Sequence, residues 1–455
     1  MKERIRRQTW RAGLIAGLLP FALGSAAQDA APVAGTITRS SPTAPGPALP
    51  AALPDSTAAN NAAPAPTTFD ASRFEAMAEA LVANGRIPGL AMAIVKDGRI
   101  VSLRGYGVTD VRDPQPVDTH TVFRLASLSK SFAATMAGML VNDGMLRWDS
   151  RLVDYVPSFR MSRPEAAAQV TVADLLSHRT GLPRNAFDRD LEGNAQYHDL
   201  TLRIADAPMA CAPGECYAYQ NVAFSLIGDI VFATTGRFYS EEVARRIFKP
   251  LGMHDASYGL EGLEASARWA RPHVRGRGGW VPLMPKPNYY RVAPAAGVNA
   301  SISDLAQWLL AQGGHRPDIL PAPLLATLHA PLVSTPSEIR GSSWRRARLQ
   351  HANYALGWRE YDYAGHDVVF HGGAVQGYRG MMALLPEQDL GVAILWNSES
   401  ALPSGLLPTI LDSVLGLQGG RWLDEDTLDG PEDLLYAEHA APAGGNASRA
   451  KASPP

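Results

Sequence analysis

The sequence predicts an α/β fold in which one antiparallel sheet, flanked by helices, is built from both ends of the folded region and an all-α insertion lies between them. Three observations lead to this prediction. A hairpin pattern surrounds the turn Lys96-Asp97-Gly98 early in the chain. Strand patterns return only late, at residues 368–370, 381–385 and 391–396. The stretch between about residue 132 and residue 290 is instead rich in helical patterns.

The first predicted element is an amphipathic helix before the hairpin. Its apolar residues recur at the three- and four-residue spacing of one helix face: Phe74, Met77, Ala78, Leu81 and Val82. The hairpin strands follow, and the chain then enters a helix-favouring segment that contains Ser127. Further helices are predicted at residues 222–234 and 241–248, before the late strands, the last two of which are joined by a turn at residues 386–389.

The two ends of the chain differ in composition from the middle. Residues 1–27 have basic residues followed by an apolar run and small residues, which predicts a secretory signal peptide; an uncleaved anchor is the alternative. Residues 28–67 are rich in Ala and Pro and predict a disordered linker, as does the polar composition of a tail at residues 431–455. A single folded domain is therefore predicted at residues 68–430, in a periplasmic or secreted protein.

Charge and hydropathy exclude two classes of partner. The 455 residues have a formal net charge of −2, which gives no electrostatic basis for binding nucleic acid. After the first thirty residues the sequence has no run of the ~18 apolar residues that a membrane span requires, so stable membrane insertion after signal cleavage is not expected. The expected partner is a small-molecule or peptide substrate.

The strongest chemical signal is Ser127-Leu128-Ser129-Lys130. Residues three apart on a helix face the same side, so the Lys130 amine can approach the Ser127 hydroxyl. A serine hydroxyl becomes a good nucleophile when a neighbouring base takes its proton, and a lysine can be that base. The same spacing recurs at Ser448 and Lys451 in the tail, so the motif alone is weak.

Two further motifs strengthen it. Tyr219-Gln220-Asn221 is the only Tyr-x-Asn in the chain, and His371-Gly372-Gly373 is the only His-x-Gly. Segments in a fixed order accompany them, including Leu175-Leu176-Ser177-His178 and Tyr354-Ala355-Leu356-Gly357-Trp358. From about residue 70 to residue 420 the chain resembles the class C β-lactamases and penicillin-binding-protein-like serine hydrolases, a group that includes D-alanyl-D-alanine carboxypeptidases, D-aminopeptidases and esterases.

The resemblance implies a role for each motif residue. Ser127 would be the nucleophile, with Lys130 and Tyr219 sharing the proton transfers. Substrate would be bound by Asn221, His371, Gly372, Gly373 and Ala374, with the backbone N–H groups of Ser127 and Ala374 forming an oxyanion hole. The resemblance implies a site in the cleft between an α/β part and an all-α part, and no cofactor or metal. His178 and Arg379 are interpreted as structural or cleft-edge residues.

His371 differs from the Lys that β-lactamases have at this position. A histidine is largely neutral above its ordinary pKa of about 6.5, which argues against efficient hydrolysis of carboxylate-bearing β-lactams. We expect protonation of His371 below about pH 6 to improve the binding of such substrates.

Cys211 and Cys216 flank a short loop that leads into Tyr219. In an oxidising compartment such a loop can close as a disulfide; two free thiols or a metal pair are the alternatives. Together these observations predict an exported serine hydrolase that acts through an acyl-enzyme on a β-lactam, a D-amino-acid peptide or a related amide. An esterase of the same fold and a non-catalytic penicillin-recognising protein are the alternatives.

Overall fold

The computed structural model describes residues 69–424. The predicted signal peptide, the linker at residues 28–67 and the tail at residues 431–455 lie outside the described residues. Within residues 69–424 the strands are β1 (Gly89–Lys96), β2 (Arg99–Gly107), β3 (Phe123–Arg124), β4 (Ser257–Tyr258), β5 (His273–Gly276), β6 (Gly279–Pro282), β7 (Val298–Ala300), β8 (Val333–Ser334), β9 (Leu349–Tyr354), β10 (Arg359–Tyr363), β11 (His366–Val375), β12 (Tyr378–Leu385) and β13 (Leu390–Trp396).

The α-helices of the same region lie before, between and after these strands. They are α1 (Ser72–Ala83), α2 (Ser129–Asn142), α3 (Leu152–Tyr155), α4 (Pro164–Ala167), α5 (Val172–Leu176), α6 (Asp188–Glu192), α7 (Tyr197–Arg203), α8 (Leu226–Thr235), α9 (Tyr239–Val243), α10 (Lys249–Leu251), α11 (Gly259–Glu264), α12 (Ala293–Ala296), α13 (Ile302–Leu310), α14 (Ala322–His329), α15 (Ser343–Arg348) and α16 (Leu406–Val414).

The main sheet has eight strands in the order β2-β1-β13-β12-β11-β10-β9-β8, and every neighbouring pair is antiparallel. The early hairpin therefore pairs with the last strand of the chain, and the helices from α2 to α14 lie between the two sets of strands in sequence. The predicted fold class, an antiparallel sheet assembled from both ends of the folded region with a helical insertion, is confirmed.

The hairpin forms where its turn residues predict it. Asp97 and Gly98 have φ angles of 51° and 69°, the left-handed conformation that a two-residue hairpin turn requires. An aspartate and a glycine adopt it at low cost, since a glycine has no Cβ. β1 is buried along nearly its whole length because it lies between β2 and β13 with both faces covered.

The sheet separates two apolar clusters. On one face, Phe74, Ala78 and Leu81 of α1 pack with α16 in a cluster that also contains Trp396. On the other face, α13 packs against β1, β2 and β13, and the cluster extends through α2 into the helical insertion. The predicted amphipathic first helix is thus confirmed. No helix within residues 69–424 is both long and apolar enough to cross a membrane.

Candidate active site

The candidate nucleophile lies at the turn that starts α2, with its side chain half-buried. The chain makes a 3-10 turn at Ala126–Leu128, and the α-helix begins at Ser129. Ala126 has a φ of 49°, a conformation unusual for a residue with a side chain. Local strain of this kind is frequent at active sites, where the surrounding structure enforces it. The sequence predicted one continuous helix here; the structure has a tight turn followed by a helix, which still places residues 127 and 130 on one side.

Lys130 is completely buried and makes three polar contacts. Its Nζ lies 3.3 Å from Ser127 Oγ, 2.7 Å from Asn221 Oδ1 and 3.1 Å from the carbonyl oxygen of Ala295. Burial in the centre of the domain lowers the pKa of the Lys130 amine well below its ordinary value, and the Arg359 guanidinium lowers it further, while Asp188 opposes the shift. A lysine in this state can exist as the neutral amine that accepts a proton.

Tyr219 and Asn221 lie on the other side of Lys130. Lys130 Nζ lies 4.5 Å from the centre of the half-buried Tyr219 ring. The shortest hydrogen bond that Nζ donates, at 2.7 Å, is accepted by the amide oxygen of Asn221. The structure therefore brings together Ser127, Lys130, Tyr219 and Asn221, which come from two segments distant in sequence.

Asp188 is a site residue that the sequence analysis missed. The Asn221 amide nitrogen donates to Asp188 Oδ2 at 2.7 Å, and this carboxylate is buried. Since an amide has one accepting and one donating end, the contact to Asp188 fixes the oxygen of Asn221 toward Lys130. Asp188 lies at the start of α6 in a short polar sequence that has no recognisable motif, so no signal in the sequence distinguishes it.

The second wall of the site is the edge of β11. The pairing of β11 with β10 ends at Phe370, opposite Arg359, whereas its pairing with β12 continues to Val375, opposite Tyr378. Residues 371–375 therefore have a strand partner in the described region on the β12 side alone. An open strand edge presents backbone donors and acceptors that can pair with an extended substrate.

Gly373 allows β11 to lie directly against the nucleophile turn. A Cβ at this position would come within 2.4 Å of the Leu125 carbonyl oxygen and 3.2 Å of the Leu128 nitrogen. The residue must be a glycine because the two backbone segments are in contact. Gly372 and Ala374, on either side of it, are half-buried and point to the opposite face of the strand.

His371 does not reach the cleft as a charged group. Its side chain is 1% exposed, and burial together with the nearby Arg359 lowers the pKa of the imidazole well below its ordinary value. The expectation that His371 is protonated below about pH 6 is therefore wrong, because a charged imidazole would have to lose its hydration beside other cations.

The ring nitrogens of His371 have partners within the protein. Nε2 lies 3.1 Å from the hydroxyl of Tyr354, and Nδ1 lies 2.7 Å from the Gly372 carbonyl oxygen. The Tyr354 hydroxyl is in turn 3.1 Å from His178 Nε2, and His178 Nδ1 accepts a hydrogen bond from the backbone N–H of Gln220 at 3.1 Å. His178 and Tyr354 have no exposed surface.

The positive charge near these rings belongs to a buried ion-pair cluster. Glu338 contacts Arg345 at 2.6 Å and Arg359 at 2.8 Å, and all three side chains are at least nine-tenths buried. The two guanidinium groups lower the pKa of Glu338 despite its burial. Arg359 begins β10, Arg345 is on α15, and Glu338 precedes that helix. The charge of Arg359 affects Lys130 through space, by lowering the pKa of the amine.

A pocket of about 70 Å³ lies against residues 372–374 of β11, and Ser127, Lys130 and Tyr219 are not among its lining residues. Aromatic side chains and strand backbone form most of its wall, with two arginines at its boundary: Trp344, Phe370, Trp396, Gly372, Gly373, Ala374, Arg345 and Arg379. Its aromatic residues belong to the apolar cluster that contains α1 and α16, so this pocket is separate from the nucleophile.

The loop before Tyr219 is closed by a disulfide between Cys211 and Cys216. Among the described residues, no group of three or more His, Cys, Asp or Glu side chains is arranged to hold a metal ion.

The comparisons with known proteins agree with this geometry. The Beta-lactamase family matches residues 74–412. The chain belongs to the Beta-lactamase family. Members of this family with this fold are serine hydrolases, among them β-lactamases, amidases and esterases, so the predicted relationship is confirmed.

Individual relatives are distant. The unguisins hydrolase ungD' of Aspergillus campestris is 26% identical over 319 residues, which cover 68% of this chain and 58% of that protein. The chain thus spans less than two thirds of the length of the first curated relatives it matches. An octameric penicillin-binding protein homologue from Pyrococcus abyssi has a TM-score of 0.69 at 25% identity, covering 78% of this chain and 79% of that one. The D-amino acid amidase of Ochrobactrum anthropi SV3 has the same fold, with a TM-score of 0.59 at 22% identity over 72% of this chain and 91% of that one.

Proposed function

We propose that this chain is an exported serine hydrolase that cleaves amide bonds, such as those of D-amino-acid amides and peptides, through an acyl-enzyme on Ser127. The observation that supports the proposal best is the position of Lys130, whose buried amine lies 3.3 Å from Ser127 Oγ and whose pKa is well below its ordinary value. A neutral amine at this distance is a competent general base.

The proposed reaction has two steps. Lys130 takes the proton of the Ser127 hydroxyl as Oγ bonds to the substrate carbonyl carbon, and the backbone N–H groups of Ser127 and Ala374 stabilise the oxyanion. The C–N bond then breaks, and the leaving amine takes the proton from the Lys130–Tyr219 pair. In the second step a water molecule gives a proton to the same pair as its oxygen bonds to the acyl carbon. The bond from the acyl carbon to Ser127 Oγ then breaks, the pair returns the proton to Oγ, and the acid is released.

The proposed enzyme is expected to prefer substrates without a carboxylate, because of the state of His371. Where β-lactamases have a lysine cation, this chain has an imidazole that is buried and kept neutral. A substrate carboxylate would meet no charge on that side chain, so β-lactams are proposed as poor substrates. The same observation favours a second candidate function, that of a carboxylic esterase, because a neutral ester has no carboxylate to bind. The first candidate is also in keeping with the name of the Ochrobactrum anthropi protein of this fold, a D-amino acid amidase.

The test is intact-mass detection of acyl adducts after exposure to a D-amino-acid amide, a p-nitrophenyl ester and a β-lactam. We expect adducts with the first two, while the Ser127→Ala variant should fold but form none. Loss of the general base should slow acylation by about 10²–10⁴-fold in Lys130→Ala.

The outcomes separate the alternatives. Adducts with the ester alone would support the esterase, and preferred acylation by the β-lactam would contradict the argument from His371. The absence of both adducts and hydrolysed product with all three compounds would favour a binding protein over an enzyme. Labelling at a serine other than Ser127 would contradict the assignment of the nucleophile.

A further inference from the structure

We propose that His178, Tyr354 and His371 form a positioning relay that holds Tyr219 at a fixed place beside the open edge of β11. The inference rests on the proposed function, since it assigns a purpose to residues around the same site. Four hydrogen bonds link these residues in a row, and the groups at the two ends of the row determine the direction of each bond.

One end of the relay is the backbone N–H of Gln220, which can only donate, so Nδ1 of His178 must accept and lacks a proton. In a neutral imidazole the other nitrogen then has the proton, and His178 Nε2 donates to the Tyr354 hydroxyl. At the other end the Gly372 carbonyl can only accept, so His371 Nδ1 donates to it and His371 Nε2 accepts from Tyr354. Each ring nitrogen makes one hydrogen bond, and the Tyr354 hydroxyl accepts one and donates one, with both histidines neutral.

His178 contacts the chain on both sides of Tyr219. Its carbonyl oxygen accepts from the backbone N–H of Ala218 at 2.9 Å, and its ring accepts from that of Gln220 at 3.1 Å. The centres of the His178 and Tyr219 rings are 4.3 Å apart. His178 therefore holds the backbone before and after Tyr219 and packs against its ring.

The backbone of His178 is itself in an unusual conformation. Its φ is 59°, which is uncommon for a residue with a side chain and persists when the surroundings require it. With this backbone conformation, both the carbonyl oxygen and the ring of His178 face the loop that contains Tyr219. At the far end of the relay, His371 and Gly372 begin the part of β11 that has no strand partner on its β10 side in the described region. The relay thus connects the loop of the proposed proton-transfer group to the strand on which substrate would lie.

The test compares Tyr354→Phe with Tyr363→Phe. Both tyrosines are fully buried in adjacent strands of the sheet, and each loses two hydrogen bonds when its hydroxyl is removed. Those of Tyr363 are to Asp412 Oδ1 at 2.6 Å and to the Pro408 carbonyl oxygen at 3.4 Å. The phenylalanine keeps the ring packing in both. Both variants should lose similar stability, but in Tyr354→Phe alone the hydrogen exchange of the Gln220 amide should rise roughly tenfold, as expected for one weakened hydrogen bond.

The second measurement is the rate of acylation by a p-nitrophenyl ester. It should fall by about tenfold to a hundredfold in Tyr354→Phe, with little change in substrate binding, because a displaced Tyr219 misaligns the proton transfer. It should stay near the wild-type rate in Tyr363→Phe. Nitrogen NMR of the unmodified protein should show His178 protonated at Nε2 and His371 at Nδ1.

Three results would overturn the relay: equal Gln220 exchange in the two variants, equal acylation rates, or the opposite tautomer of either histidine. If the unmodified protein forms no acyl-enzyme, the proposed function fails instead. The exchange comparison and the tautomers then decide whether the relay holds the loop, independently of catalysis.

Discussion

At the scale of single residues, the chemistry depends on how Lys130 is surrounded. Burial and the Arg359 guanidinium disfavour its charged form, and the Asp188 carboxylate favours it. Asp188 accepts a hydrogen bond from the Asn221 amide, and the same amide accepts one from Lys130. The Asp188 charge therefore acts on Lys130 across one intervening residue. Burial therefore has the largest effect on the base strength of Lys130, and two buried charges, one on α6 and one on β10, adjust it in opposite directions.

Replacing Asp188 by asparagine should shift that balance in a known direction. Asp188→Asn removes the negative charge that raises the pKa of Lys130, so this pKa should fall further. The rise of the acylation rate with pH, which follows deprotonation of Lys130, should then move to lower pH. The shift is measured from single-turnover acylation with a neutral ester across the pH range.

The control for this experiment is Asp190→Asn. Asp190 lies on the same helix, two residues away, but 39% of its side chain is accessible and it is paired with Arg203 at 2.7 Å. Asp190→Asn should leave the pH dependence of acylation unchanged. A shift of the Asp188→Asn profile to higher pH, or an equal shift in both variants, would show that Asp188 does not govern the protonation of Lys130.

At the scale of elements, the site exists because β11 and the nucleophile turn are in backbone contact. Gly373 allows this contact on the strand, and the left-handed Ala126 shapes the turn. The open edge of β11 then lies beside Ser127, since the pairing with β10 has already ended at Phe370.

Gly373→Ala tests the contact between these elements. Its methyl group would meet the Leu125 carbonyl oxygen at 2.4 Å, so the strand and the turn must separate. Such overpacking costs about 1–3 kcal/mol, and we expect a loss of unfolding free energy in this range together with loss of acylation. Gly372→Ala is the control for stability, because its nearest neighbour would be a Phe370 side-chain atom at 3.5 Å. Equal stability of the two variants would contradict the proposed contact.

The elements were more predictable than the contacts between them. The first helix and the hairpin follow from local periodicity and turn residues, and both form where the sequence predicts them. The motif residues Ser127, Lys130, Tyr219 and Asn221 were predicted, and the structure brings them together. Asp188 was missed, and His371 was expected to take up a proton below about pH 6, because burial and long-range partners such as Arg359 depend on the assembled sheet and helices.

At the scale of the whole molecule, assembly buries several imidazoles as neutral groups. Burial is the largest cause that lowers the pKa of His178, His273, His329 and His371, and that of His329 falls to about 4. Burial has the opposite effect on the pKa of Asp304, because it raises the pKa of this carboxyl to about 6. The stability of the domain must therefore depend on pH in a way that no single element determines.

The sign of this dependence follows from proton binding in the two states. An unfolded histidine takes up a proton near pH 6.5, while the folded one stays neutral, so each buried imidazole loses stability as the pH falls from about 6.5 toward its folded pKa. Each contributes a slope of about 1.4 kcal/mol per pH unit in that interval. A raised carboxyl binds its proton more tightly in the folded state, so Asp304 opposes one histidine between about pH 6 and 4. The loss of stability is expected to begin near pH 6.5 and to become steeper below it, as the unfolded histidines become fully protonated.

His329→Gln isolates one of these contributions without touching the candidate site. His329 Nε2 lies 2.9 Å from the amide oxygen of Gln312, and glutamine can donate to the same oxygen without binding a proton in either state. The unfolding free energy of His329→Gln, measured by urea titration, should fall less steeply between about pH 6.5 and 4, by about 1.4 kcal/mol per pH unit. His351→Gln, at an exposed histidine of β9, should keep the original slope. If His329→Gln and His351→Gln have the same slope, burial of His329 does not contribute to the acid sensitivity of the fold.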